Sequence, residues 1–123
     1  MILPREYFDR PTLDVARSLV GKYLVREQGR GLIAGRIIEV EAYIGTEDKA
    51  CHASKGRTAR TEVLFGPPGH AYVYLCYGMH EMLNVVTEQV GFPAAILLRA
   101  VECEGTLIDG PGRVTRAFGI DRR

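Results

Sequence analysis

Residues 32–44, LIAGRIIEVEAYI, are typical of a long β-strand. The side chains of a strand alternate between its two faces, so residues two apart lie on the same side. One face is apolar and typical of a core, whereas the other turns acidic and aromatic toward its end and is a candidate functional surface. The apolar face carries Ile38, Val40 and Ala42, and the other carries Ile37, Glu39, Glu41 and Tyr43.

The segments around this strand predict further short elements. Helices are predicted over residues 11–20 and 109–120, the second with Asp109 as its N-cap, and strands over residues 22–27, 71–77, 81–88 and 94–101. The order of helix, several antiparallel strands and helix favours the α+β class over alternating βαβ units. We expect one domain, residues 1–123, with a curved antiparallel sheet (a roll or partial barrel) flanked by short helices.

The composition is that of an ordinary globular chain. Its 123 residues suffice for one domain with a core, and 46% hydrophobic with 25% charged residues exclude a disordered or fibrous chain. The net charge of +1, from 16 basic and 15 acidic residues, favours no class of partner. Three cysteines without a leader-like or membrane-spanning apolar run predict a cytoplasmic protein with reduced thiols, associated with the nucleoid if it is bacterial.

The pair Glu39 and Glu41 is the first constellation that could carry chemistry. Residues two apart on a strand lie roughly 6–7 Å apart on one face. Two carboxylates there repel each other when both are ionised, and such a pair can supply a general base that activates water. The alternative is a solvated edge face with two surface glutamates, and the spacing alone leaves both interpretations open.

The aromatic run at residues 72–77, YVYLCY, is a second constellation. Tyr72 and Tyr74 share a face of the predicted strand, where rings can form a platform for stacked bases, worth on the order of 1–3 kcal/mol each. Tyr43 and His52 would extend that platform if the fold brings the segments together. The alternative is that these tyrosines line a core, since tyrosine favours strands.

Two short segments are candidates for binding phosphate. The loop of residues 55–60 interleaves three cations with Gly56 and Thr58, and residues 110–113 open a helix with free N–H groups. A solvated loop and a simple helix cap are the alternatives. Histidines and cysteines are too scattered for a metal site, so we expect no metal and no cofactor.

Five runs of the sequence together resemble one known family. In chain order they are LPREYFDRPTLDVARSLVGKYLV, RIIEVEAYIGTEDKACHA, PPGHAYVYLCYGMHEMLNVV, AAILLRAVE and GPGRVTRAFGI. They resemble the alkyladenine (3-methyladenine) DNA glycosylase family over nearly the whole chain. Relative to that family we expect the chain to be shortened in two places, in the connection of residues 102–109 and beyond Arg123.

The resemblance implies a role for each matching position. Glu41 matches the general base that activates the water attacking the sugar C1′. The pocket for the flipped base is matched by Tyr43, His52, Tyr74, Asn84 and Arg99, in which Asn84 excludes the amino group of guanine and Arg99 supports the site. Tyr77 matches the wedge that enters the duplex. The expected DNA contacts are Thr58, Tyr72, Met79 and Arg113, to which the basic loop adds Arg57 and Arg60.

The resemblance implies a monofunctional DNA-repair enzyme. It flips alkylated or deaminated purines out of duplex DNA, hydrolyses the N-glycosidic bond and leaves an abasic site. The tyrosines of the sequence suit this reaction. A stacked base must leave the duplex before chemistry, and the faces of tyrosine rings attract cationic alkylated purines. Glu39 could hold or tune the Glu41 carboxylate.

Other readings of the sequence stay open. A module of the same fold could bind lesions or DNA with little or no turnover, and a small barrel could bind RNA or protein instead. For the enzyme we expect a monomer that acts on double-stranded DNA containing damaged purines and has no membrane partner. The candidate lesions are 3-methyladenine, 7-methylguanine, hypoxanthine and etheno-adenine.

Overall fold

The computed structural model describes residues 3–28, 31–45, 62–76 and 80–120. The chain pairs its strands in an antiparallel manner throughout these ranges, which confirms the predicted α+β class with a curved antiparallel sheet. The elements, in chain order, are α1 (Arg5–Phe8), α2 (Thr12–Leu19), β1 (Tyr23–Gln28), β2 (Gly31–Ile44), a 3₁₀ helix (Glu62–Phe65), β3 (Ala71–Cys76), β4 (His80–Val86), β5 (Ala94–Cys103), β6 (Thr106–Asp109) and α3 (Pro111–Phe118).

Six strands within the described ranges form one sheet. Five of them follow the order β1-β2-β5-β4-β3, and the sixth, β6, pairs with β5 beside this row. The central strand β5 pairs with β2 along one side over nearly its whole length. On its other side it pairs first with β4, through residues 95–97, and then with β6, through residues 100–103. Strands that lie far apart in the sequence therefore present their side chains next to one another across β5.

The helices α2 and α3 pack on one face of this sheet. Their buried side chains Val15, Leu19, Val114 and Phe118 meet Ile37, Leu83, Ile96, Leu98 and Val101 from the strands. α3 starts after Gly110 with Pro111 in its first turn and ends at Gly119, whose φ of 63° lies in the left-handed region that favours glycine. No helix in the described part of the chain has the length and apolar character of a membrane span.

The N-terminus of α2 is capped by a residue from elsewhere in the chain. Glu88, which follows β4, accepts hydrogen bonds from the backbone N–H of Thr12 at 3.0 Å and from the Thr12 hydroxyl. The hydroxyl oxygens of Thr12 and Thr87 lie 2.9 Å apart, and both residues are buried. These contacts tie the segment between β4 and β5 to the helical layer.

The structure corrects the predicted faces of β2. Ile37 was expected to share a face with Glu39, but it is buried in the same core cluster as Val40 and Ala42. The pairing of β2 with β5 shifts its register on both sides of Glu39. A bulge of this kind adds a residue to one strand and moves the following side chains to the other face.

The structure also corrects the predicted start of the last helix. Asp109 was expected to be its N-cap, but it ends β6 and pairs with Ala100, and Gly110 takes the N-cap position. The residues expected to form a plain connection, 102–109, instead contain the end of β5 and the whole of β6. The short helix α1 and the 3₁₀ helix were not predicted either.

Candidate active site

A row of paired residues crosses four strands on the face opposite the helices. Glu41 of β2 pairs with Leu97 of β5, which also pairs with Asn84 of β4, and Asn84 pairs with Tyr72 of β3. Directly paired residues of neighbouring strands share a face. Glu41 and Asn84 therefore flank Leu97, which is 1% exposed, with their Cα atoms separated by two strand spacings, roughly 10 Å.

The Glu41 carboxylate is held at both oxygens. The Tyr43 hydroxyl donates a hydrogen bond to Oε1, and Nη1 of Arg99 donates to Oε2 at 3.2 Å. The Glu41 side chain is nevertheless 44% exposed. A carboxylate offers about four acceptor sites, so these two bonds fix its orientation and leave acceptor capacity for a water or a substrate.

Arg99 brings the two glutamates into one arrangement. Its Nε donates to Oε1 of Glu39 at 3.3 Å while Nη1 binds Glu41, so one guanidinium lies between both carboxylates. The repulsion expected from their spacing is thereby compensated. The backbone carbonyl of Arg99 accepts a hydrogen bond from the N–H of Gly110 at 2.8 Å, which links this position to the start of α3.

The Tyr43 hydroxyl is held in its protonated form. Burial raises the pKa of Tyr43 well above its usual range, and the hydrogen bond to Glu41 and the charge of that carboxylate raise it further. Arg99 acts in the opposite direction with a smaller effect. Tyr43 consequently stays protonated at neutral pH and can donate its hydroxyl hydrogen to Glu41.

An aromatic wall stands beside the carboxylate. Tyr43 and Tyr74 both pack against a buried cluster formed by Leu64, Phe65, Tyr72, Val86 and Ala95. The rings of Tyr72 and Tyr74 lie with their centroids 5.6 Å apart and their planes at 37°. The cluster fixes Tyr43 and Tyr74 from behind while both keep part of their surface exposed.

Asn84 is the buried polar residue of the site. Its side chain is 2% exposed, and its Nδ2 donates to the backbone carbonyls of Tyr72 at 3.3 Å and Met82 at 3.4 Å. Two backbone acceptors therefore hold the amide group in one orientation. An amide fixed in this way can discriminate between ligands by the donors and acceptors that they present.

The structure places the expected site residues unevenly. Glu41, Tyr43, Tyr74, Asn84 and Arg99 come together on one face of the sheet. Tyr72, expected to contact DNA, is only 5% exposed and supports Tyr74 from within the cluster, as the core interpretation of this tyrosine had it. Arg113 is exposed in the first turn of α3. The expected residues outside the described ranges are His52, Arg57, Thr58, Arg60, Tyr77 and Met79.

Two contributions to the site were missed by sequence reasoning. Leu64 and Phe65 of the 3₁₀ helix back the aromatic wall, and only the short apolar run before the turn of residues 66–69 hinted at their burial. The contact of Glu39 with Arg99 was also unforeseen, since Glu39 was expected to act on Glu41 itself. Among the described residues, no three or more His, Cys, Asp or Glu side chains are grouped as a metal site would need.

Comparisons with known proteins agree with the resemblance seen in the sequence. The family model of methylpurine-DNA glycosylase matches residues 6–123. Proteins named "Putative 3-methyladenine DNA glycosylase" are 55% identical in Methanocella arvoryzae, 56% in Myxococcus xanthus and 52% in Legionella pneumophila strain Corby, each over 98% of the chain. The chain spans 68%, 64% and 68% of the length of these three relatives.

The alignments also bear on the expected shortening within the chain. The Methanocella alignment extends over 137 positions, so this relative carries additional residues inside the matched part. The Myxococcus and Legionella alignments extend over 125 and 124 positions, which leaves room for only a few. The matched part is therefore longer than this chain in one of these relatives and nearly the same length in the other two. On the family match and on these identities, the chain belongs to the methylpurine-DNA glycosylase family.

Proposed function

We propose that the chain is a DNA glycosylase that removes alkylated or deaminated purines from double-stranded DNA by hydrolysis. The observation that carries the proposal is the Glu41 carboxylate, oriented by Tyr43 and Arg99 on an accessible face of the sheet. Membership of the methylpurine-DNA glycosylase family and the names of the relatives support it independently.

The proposed reaction uses Glu41 as a general base. A water bound to its carboxylate gives up a proton as the oxygen attacks C1′ of the sugar, and the N-glycosidic electron pair leaves with the purine. Alkylation at N3 or N7 gives the purine a positive charge and makes it a good leaving group, so the demand for a general acid is small. A carboxylate facing an oxocarbenium-like sugar is the arrangement used in glycoside hydrolysis.

The pocket is proposed to hold the flipped base between aromatic rings. Tyr43 and Tyr74 stand beside Glu41 with their backs packed, and His52 completes the sandwich. Electron-rich rings attract a cationic purine more strongly than a neutral one. Asn84, whose amide has a fixed orientation, crowds the exocyclic amino group of normal guanine and so disfavours undamaged bases.

The duplex itself is proposed to bind across the site and toward the start of α3, which the backbone hydrogen bond from Gly110 to Arg99 links to the site. Tyr77 enters the stack and fills the space that the flipped base leaves, since extrusion of a base costs a few kcal/mol that the protein must offset. Arg113 and the other basic and polar side chains contact the backbone. The proposed DNA contacts are Arg57, Thr58, Arg60, Met79 and Arg113, whereas the buried Tyr72 supports Tyr74 from within its cluster. The protein is proposed to act as a monomer of one domain without a cofactor.

The test is base release from defined oligonucleotides. Duplexes carrying one 3-methyladenine analogue, hypoxanthine, etheno-adenine or 7-methylguanine are incubated with excess protein in the presence of a chelator, with the undamaged duplex as control. We expect free damaged base from at least one lesion, and strand breaks only after subsequent alkali treatment. Breaks without alkali would contradict the monofunctional reaction. Tight lesion binding without base release would favour the alternative, a lesion-binding module with little turnover.

A further inference from the structure

The guanidinium of Arg99 is divided between two carboxylates. Nε binds Glu39 at 3.3 Å and Nη1 binds Glu41 at 3.2 Å. An arginine beside a single carboxylate commonly donates two parallel hydrogen bonds to it and covers both oxygens. The presence of Glu39 therefore decides how much of the guanidinium is directed at Glu41.

Sharing the guanidinium keeps the general base available. With Nε engaged by Glu39, Arg99 contacts only Oε2 of Glu41, and Oε1 accepts from Tyr43. Without Glu39, the guanidinium is free to turn and cover both Glu41 oxygens, in competition with Tyr43 and with the attacking water. We propose that Glu39 is a positioning residue for base excision, which acts through Arg99 to hold the Glu41 carboxylate in its working orientation.

The backbone of β2 is built in a way that allows this contact. The register shifts on both sides of Glu39 place its side chain on the face of Arg99 and Glu41, whereas Ile37 turns into the core. Without the bulge, Glu39 and Ile37 would lie on the same face. The bulge thus sets a second carboxylate beside the arginine of the site.

The role is separable from a structural one. Glu39 is 59% exposed and Arg99 37% exposed, and ion pairs this accessible to solvent contribute little to folding. Loss of Glu39 is therefore expected to leave the thermal unfolding midpoint and the affinity for lesion DNA unchanged. The effect should appear only in the rate of the chemical step. This inference rests on the proposed function.

The experiment is a double-mutant cycle in single-turnover excision of the lesion that the wild type releases. Glu39→Ala is expected to lower the rate about tenfold, because Arg99 then competes with the attacking water for the Glu41 oxygens. Glu39→Gln, which retains an acceptor for Nε, is expected to lose less. In an Arg99→Ala background, Glu39→Ala should cause no further loss. Glu102→Ala, which removes an exposed partner of Arg36 in the same two strands, is the matched control and should keep the wild-type rate.

Each outcome decides between the hypotheses. The positioning role would be overturned if Glu39→Ala and the wild type had equal rates. It would also be overturned if Glu39→Ala slowed excision as much without Arg99 as with it, and both outcomes would leave the proposed function intact. A fall in lesion affinity or in the unfolding midpoint that accounts for the slower rate would also overturn it. Absence of base release by the wild type on every lesion would overturn the proposed function, and the role of Glu39 with it.

Discussion

Tyr43 has two functions that depend on different parts of its side chain. Its ring forms part of the aromatic wall, and its hydroxyl donates to Oε1 of Glu41. Since the raised pKa keeps that hydroxyl protonated at neutral pH, it remains a donor for Glu41. In the proposed function, Tyr43 therefore serves both the recognition of the flipped base and the orientation of the general base.

Replacement of Tyr43 by Phe separates the two functions. The ring is retained, so the affinity for lesion DNA should be unchanged, whereas the single-turnover excision rate should fall about tenfold with the loss of one hydrogen bond to a charged acceptor. Tyr7→Phe, at a ring in the helical layer, is the control variant. An unchanged rate in Tyr43→Phe would show that Arg99 alone orients Glu41.

The same variant has a signature in alkaline solution. Because the pKa of Tyr43 is higher in the folded than in the unfolded chain, only the unfolded state loses this proton as the pH rises past about 10. Proton loss from the unfolded state alone lowers the free energy of unfolding. The free energy of unfolding, measured in urea, should therefore fall more steeply for the wild type than for Tyr43→Phe between pH 10 and 11, roughly where tyrosine begins to ionise. Parallel curves would contradict the raised pKa.

The residues of one strand were easier to predict than the contacts between strands. Glu41 and Tyr43 lie two apart in a strongly patterned segment, so their common face follows from strand geometry. The contact of Arg99 with Glu41 joins residues 58 positions apart and depends on the register between β2 and β5, which no local pattern encodes. Arg99 entered the expected site through the family resemblance and not through spacing.

At the scale of elements, β2 connects the core to the site. Its first half pairs with β1 and packs under α3, and its second half carries Glu41 and Tyr43. The bulge at Glu39 separates the two halves. The extent of β2 was predicted within one residue, because its apolar run is long, whereas the bulge was not predicted because it arises from pairing with β5.

Short elements escaped prediction for a related reason. β6 has four residues, and its side chains are mostly exposed, so it has little periodicity and is defined by its hydrogen bonds to the end of β5. Since β6 extends to Asp109, that residue is engaged in the sheet and Gly110 begins α3. The body of this helix was predicted correctly from Pro111 in its first turn and Gly119 at its end, because both signals depend only on the local backbone.

Gly35 in β2 tests how closely α3 packs on the sheet. A Cβ at this position would lie 2.8 Å from Sγ of Cys103, 3.1 Å from Cζ of Phe118 and 3.2 Å from Cγ2 of Val101. Gly35→Ala should therefore destabilise the fold by about 1–3 kcal/mol, measured by urea unfolding, despite the usual gain from replacing a strand glycine.

A second substitution provides the control for this prediction. Cys103→Ala removes the atom nearest to the added methyl group. In the Cys103→Ala background, Gly35→Ala should therefore lower the free energy of unfolding by less than it does in the wild type. A Gly35→Ala protein as stable as the wild type would show that α3 and β5 have room to move apart.

The chain has a net charge of only +1, so its attraction to DNA depends on where its basic side chains lie and not on their total number. The candidate basic residues come from separate segments, of which α3 contributes Arg113 and Arg116, both exposed. Each cation that replaces a counterion on DNA steepens the salt dependence of binding. The remaining candidates are Lys55, Arg57, Arg60, Arg122 and Arg123.

Lesion-DNA affinity should fall steeply with salt. We expect a slope of log K against log salt concentration on the order of −4, and Arg113→Ala should make it shallower by about one. Arg17→Ala is the control, since Arg17 lies on α2, 77% exposed, beside Asp14. A shallow wild-type slope would show that these cations do not form a phosphate-binding face.

In the proposed reaction, Glu41 activates the water that cleaves the glycosidic bond. The test is single-turnover excision with the wild type and with Glu41→Gln, whose side chain has the same size but only one acceptor oxygen and cannot act as a base. We expect base release by the wild type, a loss of at least about 100-fold in Glu41→Gln with lesion affinity retained, and no loss in Glu102→Gln. Excision by Glu41→Gln at the wild-type rate would contradict this role of Glu41.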